Sequence, residues 1–504
     1  MADWLAAIQA VCAPSVMLYA LIGVCVGMLI GTLPGLTSTM AIAILTPLTF
    51  WLEPTQGFAM LIGVYNSALF SGGISAIVIN TPGTPASIAT TFDGYSLTQR
   101  GQGALALGIN TIYSVLGGLL STVVLMVAAF PLANFALRFG PAEFSILAFF
   151  GLTMMVSVSQ ANPVKGLLLG FIGLMLSTVG LDPINGALRY TFGNINLLDG
   201  ISFIPVMIGL FGLGEMTYQI FTAERAEDGS AKTATAKADG RVLPTLAEHI
   251  LMIPSAIASA VIGVVIGAVP GAGGDIASII SWDVAKRMSK HKEDFGKGSL
   301  EGIGATCTSN NASIGGALTT ALCLGVPGDS NTAVLLGSLM MYGMTPGPTL
   351  FTEQAHFVRN LMVLMIVANL LILVVGLATA KVSVKILSIR KEAIWMAVLL
   401  LCVIGSYALN KSYFDVIVMF AAGCLGFVFR RMEFPLGPLI LGLLLGDICE
   451  TNMRRAMSLS MGDYGIFVQS PLSIVMLAAI VLVLFWPLVG GKVKGMFKKK
   501  PDPV

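Results

Sequence analysis

One stretch of this sequence limits the possible folds more than any other: the polar break at residues 327–332, inside the otherwise apolar segment 317–351. Hydrocarbon offers no water to unpaired backbone groups, so non-helical backbone at membrane depth must be covered by protein or line a cavity. Pro327 cannot donate a backbone hydrogen bond and ends one helix, while Asp329 and Thr332 are good N-cap residues for a second. The break therefore predicts two half-helices that meet at a cavity.

The same pattern of glycine, proline and threonine or alanine occurs three more times. These breaks lie at residues 31–35, 80–85 and 267–274. Pro270 follows Pro34 by 236 residues, while Asn311 follows Asn66 by 245 residues. Interrupted hydrophobic segments at corresponding positions of two halves are typical of the binding site of a secondary transporter. The spacing thus predicts a duplicated chain with paired broken or re-entrant helices.

Composition places the chain in the membrane. Of its 504 residues, 56% are hydrophobic and 11% are charged, whereas a globular domain is about a quarter charged. We expect an all-α polytopic membrane protein with an inverted structural repeat and about 10 to 14 membrane segments, some of them re-entrant. The net charge of +2 and the short basic clusters do not indicate a nucleic-acid-binding protein.

The sequence predicts neither a catalytic centre nor a resident cofactor. The seven cysteines form no Cys-x-x-Cys pair, and the three histidines are scattered near segment ends, so no zinc, haem or redox site is expected. The breaks hold no His-Asp or Ser-Lys pair, which argues against an enzyme. Metal binding is expected only as Na⁺ acting as a coupling ion.

A polar linker is expected to divide the chain. We assign residues 1–221 to a first transmembrane repeat, 222–249 to a cytoplasmic linker and 250–450 to a second, inverted repeat. Residues 451–504 are assigned to an extra transmembrane helix with a basic cytoplasmic tail. The apolar segments predict helices at 15–33, 40–51, 58–80, 86–97, 104–129, 144–158, 164–181, 201–220, 250–269, 276–285, 303–324, 332–342, 361–380, 393–409, 416–429, 436–448 and 472–488.

The distribution of lysine and arginine predicts the orientation of the chain. With the N-terminus in the periplasm and the C-terminus in the cytoplasm, 22 of the 28 basic residues fall on the cytoplasmic side, as the positive-inside rule requires. In this arrangement the loop at residues 52–56 and its basic counterpart at 286–297 face opposite sides. The two repeats are therefore expected to be inverted.

The breaks are predicted to bind an anion without guanidinium or ammonium groups. Residues 1–99, 242–285 and 298–358 contain no lysine or arginine, so the available positive groups are the free N–H groups of half-helix N-termini. Glycine in apolar helices also serves close packing, which is the simpler reading for a single kink. The candidate substrate-binding residues are Thr32, Gly35, Ser38, Thr81, Gly83, Thr84, Gly271, Gly273, Gly328, Ser330, Asn331 and Thr332.

A multiply charged anion at such a site needs bound cations. Asparagine and threonine oxygens hold sodium in transporters with broken helices, so we predict cation-binding roles for Asn66, Asn311, Asp329 and Thr39. Asp329 has an alternative role as a helix N-cap alone. The coupling ion is expected to be Na⁺ or H⁺.

The motifs resemble a known family. The runs GTLPGLTSTMAIAILTPLTF, FSGGISAIVINTPGTPASIATTFDGY, GAVPGAGGDIAS and GVPGDSNTAVLLGSLMMYGMTPGPTLF are similar, in order and spacing, to the large membrane subunit of the tripartite tricarboxylate transporters (TctA-like). The resemblance covers essentially the whole chain. It implies a transporter in the bacterial inner membrane that imports di- or tricarboxylates, with citrate as the leading candidate, in symport with a cation.

The resemblance also implies partners: a small membrane subunit (TctB-like) and a periplasmic solute-binding protein (TctC-like). By analogy with other transporters, we expect an elevator-like movement of the motif-bearing parts. The alternative is a carboxylate or ion channel lined by the broken helices, which uncoupled ion flux would identify. An ATP-driven permease is disfavoured because the chain has no Walker sequence.

Overall fold

The computed structural model describes residues 2–158, 163–182, 184–226, 240–388 and 391–481. Its helices are α1 Ala2–Val11, α2 Pro14–Thr32, α3 Ser38–Thr49, α4 Pro54–Ile79, α5 Ile88–Gln99, α6 Gly103–Ala136, α7 Pro141–Val158, α8 Pro163–Ser177, α9 Phe203–Met207, α10 Glu215–Ala226, α11 Leu246–Gly267, α12 Gly273–Met288, α13 Leu300–Leu324, α14 Ser330–Met341, α15 Leu350–Glu353, α16 Ala355–Thr379, α17 Lys391–Asn410, α18 Tyr413–Arg431, α19 Gly437–Leu459 and α20 Pro471–Val481. Strands β1 Gly180–Leu181 and β2 Leu188–Arg189 pair antiparallel.

The predicted all-α polytopic class is confirmed. Within the described residues, seven helices are long and apolar enough to cross a membrane, and six apolar helices are shorter. The short helices include α3 and α14, which flank breaks, because the polar break residues interrupt what would otherwise be longer apolar runs.

The structure differs most clearly from the sequence-based prediction at three segments, and it adds the helices α1 and α15, which the sequence did not predict. The helix expected at 164–181 ends at Ser177, and its last residues form β1, because Gly180 adopts a positive φ of 120°. The expected span 201–220 contains a π-helix at Ile208–Gly214 between α9 and α10. Helix α19 continues to Leu459, beyond the predicted end at 448. Residues 227–239 of the predicted linker, and the end of the last helix with the basic tail, lie outside the described residues.

The chain contains two compact units, and each draws on both halves of the sequence. The first unit comprises residues 1–137 and 202–432, and the second comprises 138–201 and 433–504. All four breaks belong to the first unit. The assignment of 1–221 and 250–450 to two repeats therefore stays a prediction, separate from this spatial division.

The second unit contains an ionic network at its β-hairpin. Arg189 of β2 pairs with Glu450 of α19, and Arg454 of α19 pairs with Asp182 in the hairpin loop. Asp182 also accepts hydrogen bonds from the backbone of Ile184 and Asn185. The hydrogen bond from Arg454 holds the pKa of the Asp182 carboxyl well below its usual range, so the carboxylate stays charged in the folded protein.

In the first unit, two helix pairs pack in the same register through glycine. Helix α2 packs on α4 with Gly31 against the backbone of Ala68, and α11 packs on α13 with Gly267 against the backbone of Ser313. Gly31 and Gly267 are 236 residues apart, and Ala68 and Ser313 are 245 residues apart. These are the spacings of the sequence motifs. A Cβ at either glycine would overlap the facing carbonyl oxygen. This agreement supports duplication.

A second pair of contacts joins the two halves. Helices α3 and α14 meet where Thr46 Oγ1 lies 3.0 Å from Ser338 Oγ, and helices α12 and α5 meet where Trp282 Nε1 donates to Asp93 Oδ2 at 2.7 Å. Trp282 follows Thr46 by 236 residues, and Ser338 follows Asp93 by 245. Each half therefore inserts one short helix against a short helix of the other half.

Candidate functional site

The four breaks lie next to one another in the first unit. Within the first half, Gly83 of the second break packs so closely on the first that a Cβ would overlap the carbonyl oxygen of Gly31. Within the second half, the backbone N–H of Gly271 donates to the carbonyl oxygen of Gly328 at 2.7 Å. Glycine is needed at Gly83 because no space is left for a Cβ, and it is favoured at Gly271 because the backbone there has a positive φ of 80°.

Contacts across the halves complete the assembly. Ser38 Oγ and Thr39 Oγ1, at the start of α3, donate to Asn331 Oδ1 of α14 at 2.9 and 2.8 Å. On the other side, a Cβ built on Gly274 of α12 would lie 3.3 Å from the Cβ of Ala86, directly after the second break. The predicted half-helix ends therefore converge on one region of the first unit.

Asp329 is the centre of a polar cluster and caps α14. Its Oδ1 accepts hydrogen bonds from the backbone N–H and the hydroxyl of Thr332, and Thr332 Oγ1 approaches the Asp329 N–H in return, which forms a capping box. Its Oδ2 accepts from the phenol of Tyr65 at 2.7 Å and from the amide of Asn331 at 3.3 Å. The predicted N-cap role is confirmed, while cation binding by Asp329 stays a prediction.

Asn66 and Asn311 lie in a separate buried cluster. Asn311 Nδ2 donates to the backbone oxygen of Asn66 at 3.3 Å, and Asn369 Nδ2 of α16 lies 3.4 Å from Asn66 Oδ1. All three residues are fully buried. The oxygens Asn311 Oδ1 and Asn369 Oδ1 have no hydrogen-bond partner among the described residues. The four predicted cation residues are thus divided between two clusters, with Thr39 and Asp329 in the first and the asparagines in the second.

The remaining predicted substrate-binding residues contribute different groups to the region where the four breaks meet. The hydroxyl of Thr32 donates to a carbonyl within α2, and that of Thr81 is exposed and bonds locally. Thr84 is buried and pairs with Ser87 at 3.0 Å. The other predicted residues form or border the turns: Gly35, Gly271 and Gly273 with positive φ, Gly83 and Gly328 buried between helices, and Ser330 partly exposed.

No arginine or lysine of the described chain forms an ion pair with a residue of the four breaks. The donors of this region are the backbone N–H groups in the first turns of α3, α12 and α14, apart from the capped N–H groups of Met40 and Thr332. The hydroxyls of Ser38 and Thr39 are further donors, and in this structure they donate to Asn331. Such donors can hold carboxylate oxygens, although each contributes less than a full positive charge.

Sequence reasoning missed two residues of these clusters. Tyr65 precedes Asn66 by one position and bonds Asp329, and Asn369 lies in α16, far from any break in the sequence. Tyr65 could have been found from the duplication, because it corresponds to Asn310 at the 245-residue spacing and both positions are polar. Asn369 carries no such signal, since only the packing of α16 on α4 brings it near.

Comparison with known proteins gives one family match. The model of the family described as "Tripartite tricarboxylate transporter TctA family" matches residues 17–441, which include all four breaks and both clusters. No solved structure matches the chain.

Two relatives come from Agrobacterium vitis. One, named "Uncharacterized 52.8 kDa protein in TAR-I ttuC' 3'region", is 33% identical over 482 residues, which are 95% of each chain. The other, named "Uncharacterized protein in TAR-II ttuC' 3'region", is 34% identical over 204 residues, which are 40% of this chain and 84% of the relative.

Proposed function

The chain belongs to the tripartite tricarboxylate transporter TctA family, and on this premise we propose that it imports di- or tricarboxylates across the bacterial inner membrane in symport with Na⁺ or H⁺. The family resemblance inferred from the four motifs is confirmed by the match over residues 17–441. Which carboxylate is carried, with citrate as the leading candidate, and which cation drives it belong to the proposal.

One observation carries this proposal: four interrupted helices converge in the first unit, and their ends offer N–H groups and hydroxyls without a basic side chain. Broken helices that meet at a cavity are the usual binding architecture of secondary transporters. Ser38 and Thr39 at the start of α3 and Asn331 in the first turn of α14 are the side chains we assign to the substrate carboxylates.

The lack of basic residues supports cation coupling. A dicarboxylate or tricarboxylate carries more negative charge than helix N-termini can neutralise, since each N-terminus has roughly half a positive charge. A co-bound cation would supply the rest. The orphan oxygens of Asn311 and Asn369, beside Asn66, are acceptors that a cation would satisfy.

Two further subunits complete the proposed system, as the family name implies. A small membrane subunit (TctB-like) would associate with this chain, and a periplasmic binding protein (TctC-like) would deliver the substrate. Because all four breaks lie in one compact unit, the substrate site could travel as one body. That property suits an elevator-like movement.

The test is uptake of a radiolabelled carboxylate panel into proteoliposomes that contain this chain and the small subunit. We expect uptake at micromolar substrate only with the binding protein present and a Na⁺ or proton gradient imposed. Asn331→Ala, which removes the link between α3 and α14, should lower uptake, whereas Asn452→Ala on α19, where the amide bonds only its own helix, should not.

Two results would contradict the proposal. Carboxylate flux that follows its own gradient and ignores both cation gradients would identify a channel. Full-rate, high-affinity uptake by this chain alone would refute its dependence on the binding protein.

A further inference from the structure

Asp275 is an acidic residue with no place in the assignments above. It lies in the first turn of α12, directly after the third break, and it is exposed although Gly274 and Ala277 beside it are buried. A carboxylate facing hydrocarbon is costly, and charged groups inside membrane proteins face a water-filled cavity or a partner. Its exposure therefore marks a water-accessible opening at the third break.

The surroundings of Asp275 are negative. Asp329 lies across the turn, since a Cβ built on Gly273 would be 3.3 Å from Asp329 Cβ, and the carboxylate of Asp329 accepts a hydrogen bond from the phenol of Tyr65. Asp275 has no ion-pair partner among the described residues. An anionic substrate that approached this opening would be repelled unless a cation neutralised Asp275.

Asn310 supplies an unpartnered oxygen aimed at the same turn. Its Nδ2 donates to the carbonyl oxygen of Leu69 at 3.1 Å, but its Oδ1 has no hydrogen-bond partner, and the residue is only 4% exposed. A Cβ built on Gly274 would lie 2.8 Å from this Oδ1 and 3.0 Å from Ser313 Oγ. A buried acceptor left without a donor destabilises the folded protein, and a bound cation would remove that cost.

The duplication shows how this turn differs from its counterpart. At the 236-residue spacing, Gly274 and Asp275 correspond to Ser38 and Thr39, which donate to Asn331. The residue that faces this second-half turn is Ala86, which has no polar side chain. A pair of neutral donors is thus replaced by a carboxylate and a glycine, neither of which donates a side-chain hydrogen bond in this turn.

We propose that the carboxylate of Asp275, Asn310 Oδ1 and Ser313 Oγ hold one Na⁺ at the start of α12. Carboxylate and amide oxygens are ligands that hard cations take in proteins. The ion would also offset the charge of Asp275 when the carboxylate substrate enters. Only this role in uptake rests on the proposed function, because ion binding can be measured without transport.

The test is the thermal unfolding of the purified full chain in detergent, with NaCl titrated against choline chloride at constant ionic strength. A ligand that binds only the folded state stabilises it as its concentration rises above Kd, so the midpoint should rise with Na⁺. Asp275→Asn should abolish the rise. Asp283→Asn, the same change on the same helix at a residue paired with Arg287, should retain it.

A second variant keeps the test decisive if Asp275→Asn does not fold. Gly274→Ala leaves the carboxylate in place but fills the space beside Asn310 Oδ1, so it should also abolish the rise with Na⁺. An unchanged Na⁺ response in both variants would overturn the site. A midpoint that follows pH and ignores Na⁺ would overturn the sodium assignment and place a proton on Asp275.

Failure of the site and failure of the proposed function give different results. Stabilisation by Na⁺ that Asp275→Asn abolishes, with no carboxylate uptake by the complete system, would leave the site standing and refute the transport proposal. Na⁺-driven uptake in the wild type and in both variants, without Na⁺-dependent stabilisation, would refute the site and leave the transport proposal standing.

Discussion

At the scale of single residues, Asp329 shows how one side chain can close a helix and join two helices. It caps α14 through Thr332 and accepts the Tyr65 phenol from α4. Its counterpart at the 245-residue spacing is Thr84, whose hydroxyl pairs with Ser87 at the start of the second-break turn. The Thr84 side chain makes no hydrogen bond to the backbone of its turn. Only the second-half copy therefore has a side-chain cap, and the same carboxylate joins α14 to α4.

We expect Asp329→Ala to lower the stability of the protein by about 0.5 to 2 kcal/mol, the usual effect of losing an N-cap. Asp329→Thr, which copies the residue of the first half, should recover most of that loss. Thermal unfolding of the purified protein measures both changes. If threonine behaves like alanine, then the charge of Asp329, and not its capping hydrogen bonds, stabilises this turn.

If the proposed symport is correct, Asn66→Ala and Asn311→Ala should each raise the cation concentration for half-maximal uptake, because a symporter couples substrate and cation binding reciprocally. Coupling of typically 1 to 3 kcal/mol corresponds to about fivefold or more. Asn360→Ala is the matched control, since Asn360 is a buried asparagine of α16 that bonds Thr55 outside the cluster. Equal cation dependence in all three variants would show that Asn66 and Asn311 only pack.

At the scale of elements, the breaks are held by glycines that admit no side chain. Gly328 lies against the carbonyl oxygen of Gly267 and the Cα of Ala317, which are backbone atoms that cannot move aside. Gly83 has the same relation to Gly31. The half-helices therefore assemble through backbone contact, with side chains added around it.

Gly328→Ala should destabilise the protein by roughly 1 to 3 kcal/mol or more, as overpacking does, and Gly83→Ala should behave alike. Gly103→Ala is the control, because a Cβ there meets only side-chain atoms of Thr98, the nearest at 3.2 Å, and should change stability by less than about 1 kcal/mol. Thermal unfolding gives the comparison. Tolerance of alanine at Gly328 would mean that the fourth break packs less closely than described.

Helix α5 is fastened to the basic loop by Asp93. Asp93 Oδ1 accepts backbone hydrogen bonds from Gly296, Gly298 and Ser299 at 2.8 to 2.9 Å, and the residue is 1% exposed. The loop that joins α12 to α13 is thus ordered by a carboxylate from the first half of the chain.

Asp93→Ala should speed amide hydrogen exchange across residues 292–299, because each N–H left unsatisfied costs about 1 to 3 kcal/mol. Asp294→Ala removes an exposed carboxylate from the same loop and should leave exchange near the wild-type rate. Mass spectrometry of deuterated peptides makes the comparison. Wild-type exchange in Asp93→Ala would show that the loop is ordered by other contacts.

The sequence predicted the elements better than the contacts between them. Pro327 and Asp329 located the start of α14 because proline and N-cap chemistry act within a few residues. The nearness of Asn369 to Asn66 could not be predicted, since it depends on the packing of α16. The separation of Asn66 from Asp329 was missed for a related reason: neighbouring residues on a helix point in different directions, so Tyr65 reaches Asp329 and Asn66 does not.

At the scale of the whole molecule, the contacts shared by the two halves support duplication, while inversion is a matter of which side each loop faces. Glu53 precedes α4, and Lys290 lies in the loop before α13, its counterpart. Both side chains are exposed. If the repeats are inverted, these two loops lie on opposite sides of the membrane.

We expect a cysteine at Glu53 to react with a membrane-impermeant maleimide from the periplasm, and one at Lys290 to react only from the cytoplasm, in a cysteine-free background. Cysteines at Thr352 and Arg100, which are also exposed, calibrate the periplasmic and cytoplasmic sides, because the positive-inside count places them there. Labelling of Glu53 and Lys290 from one side would refute the inverted repeat. If Glu53 and Thr352 instead label from the cytoplasm, and Lys290 and Arg100 from the periplasm, the repeats are still inverted but the orientation of the chain is reversed. The two conclusions are separate because the relation between the halves does not depend on which side of the membrane the N-terminus occupies.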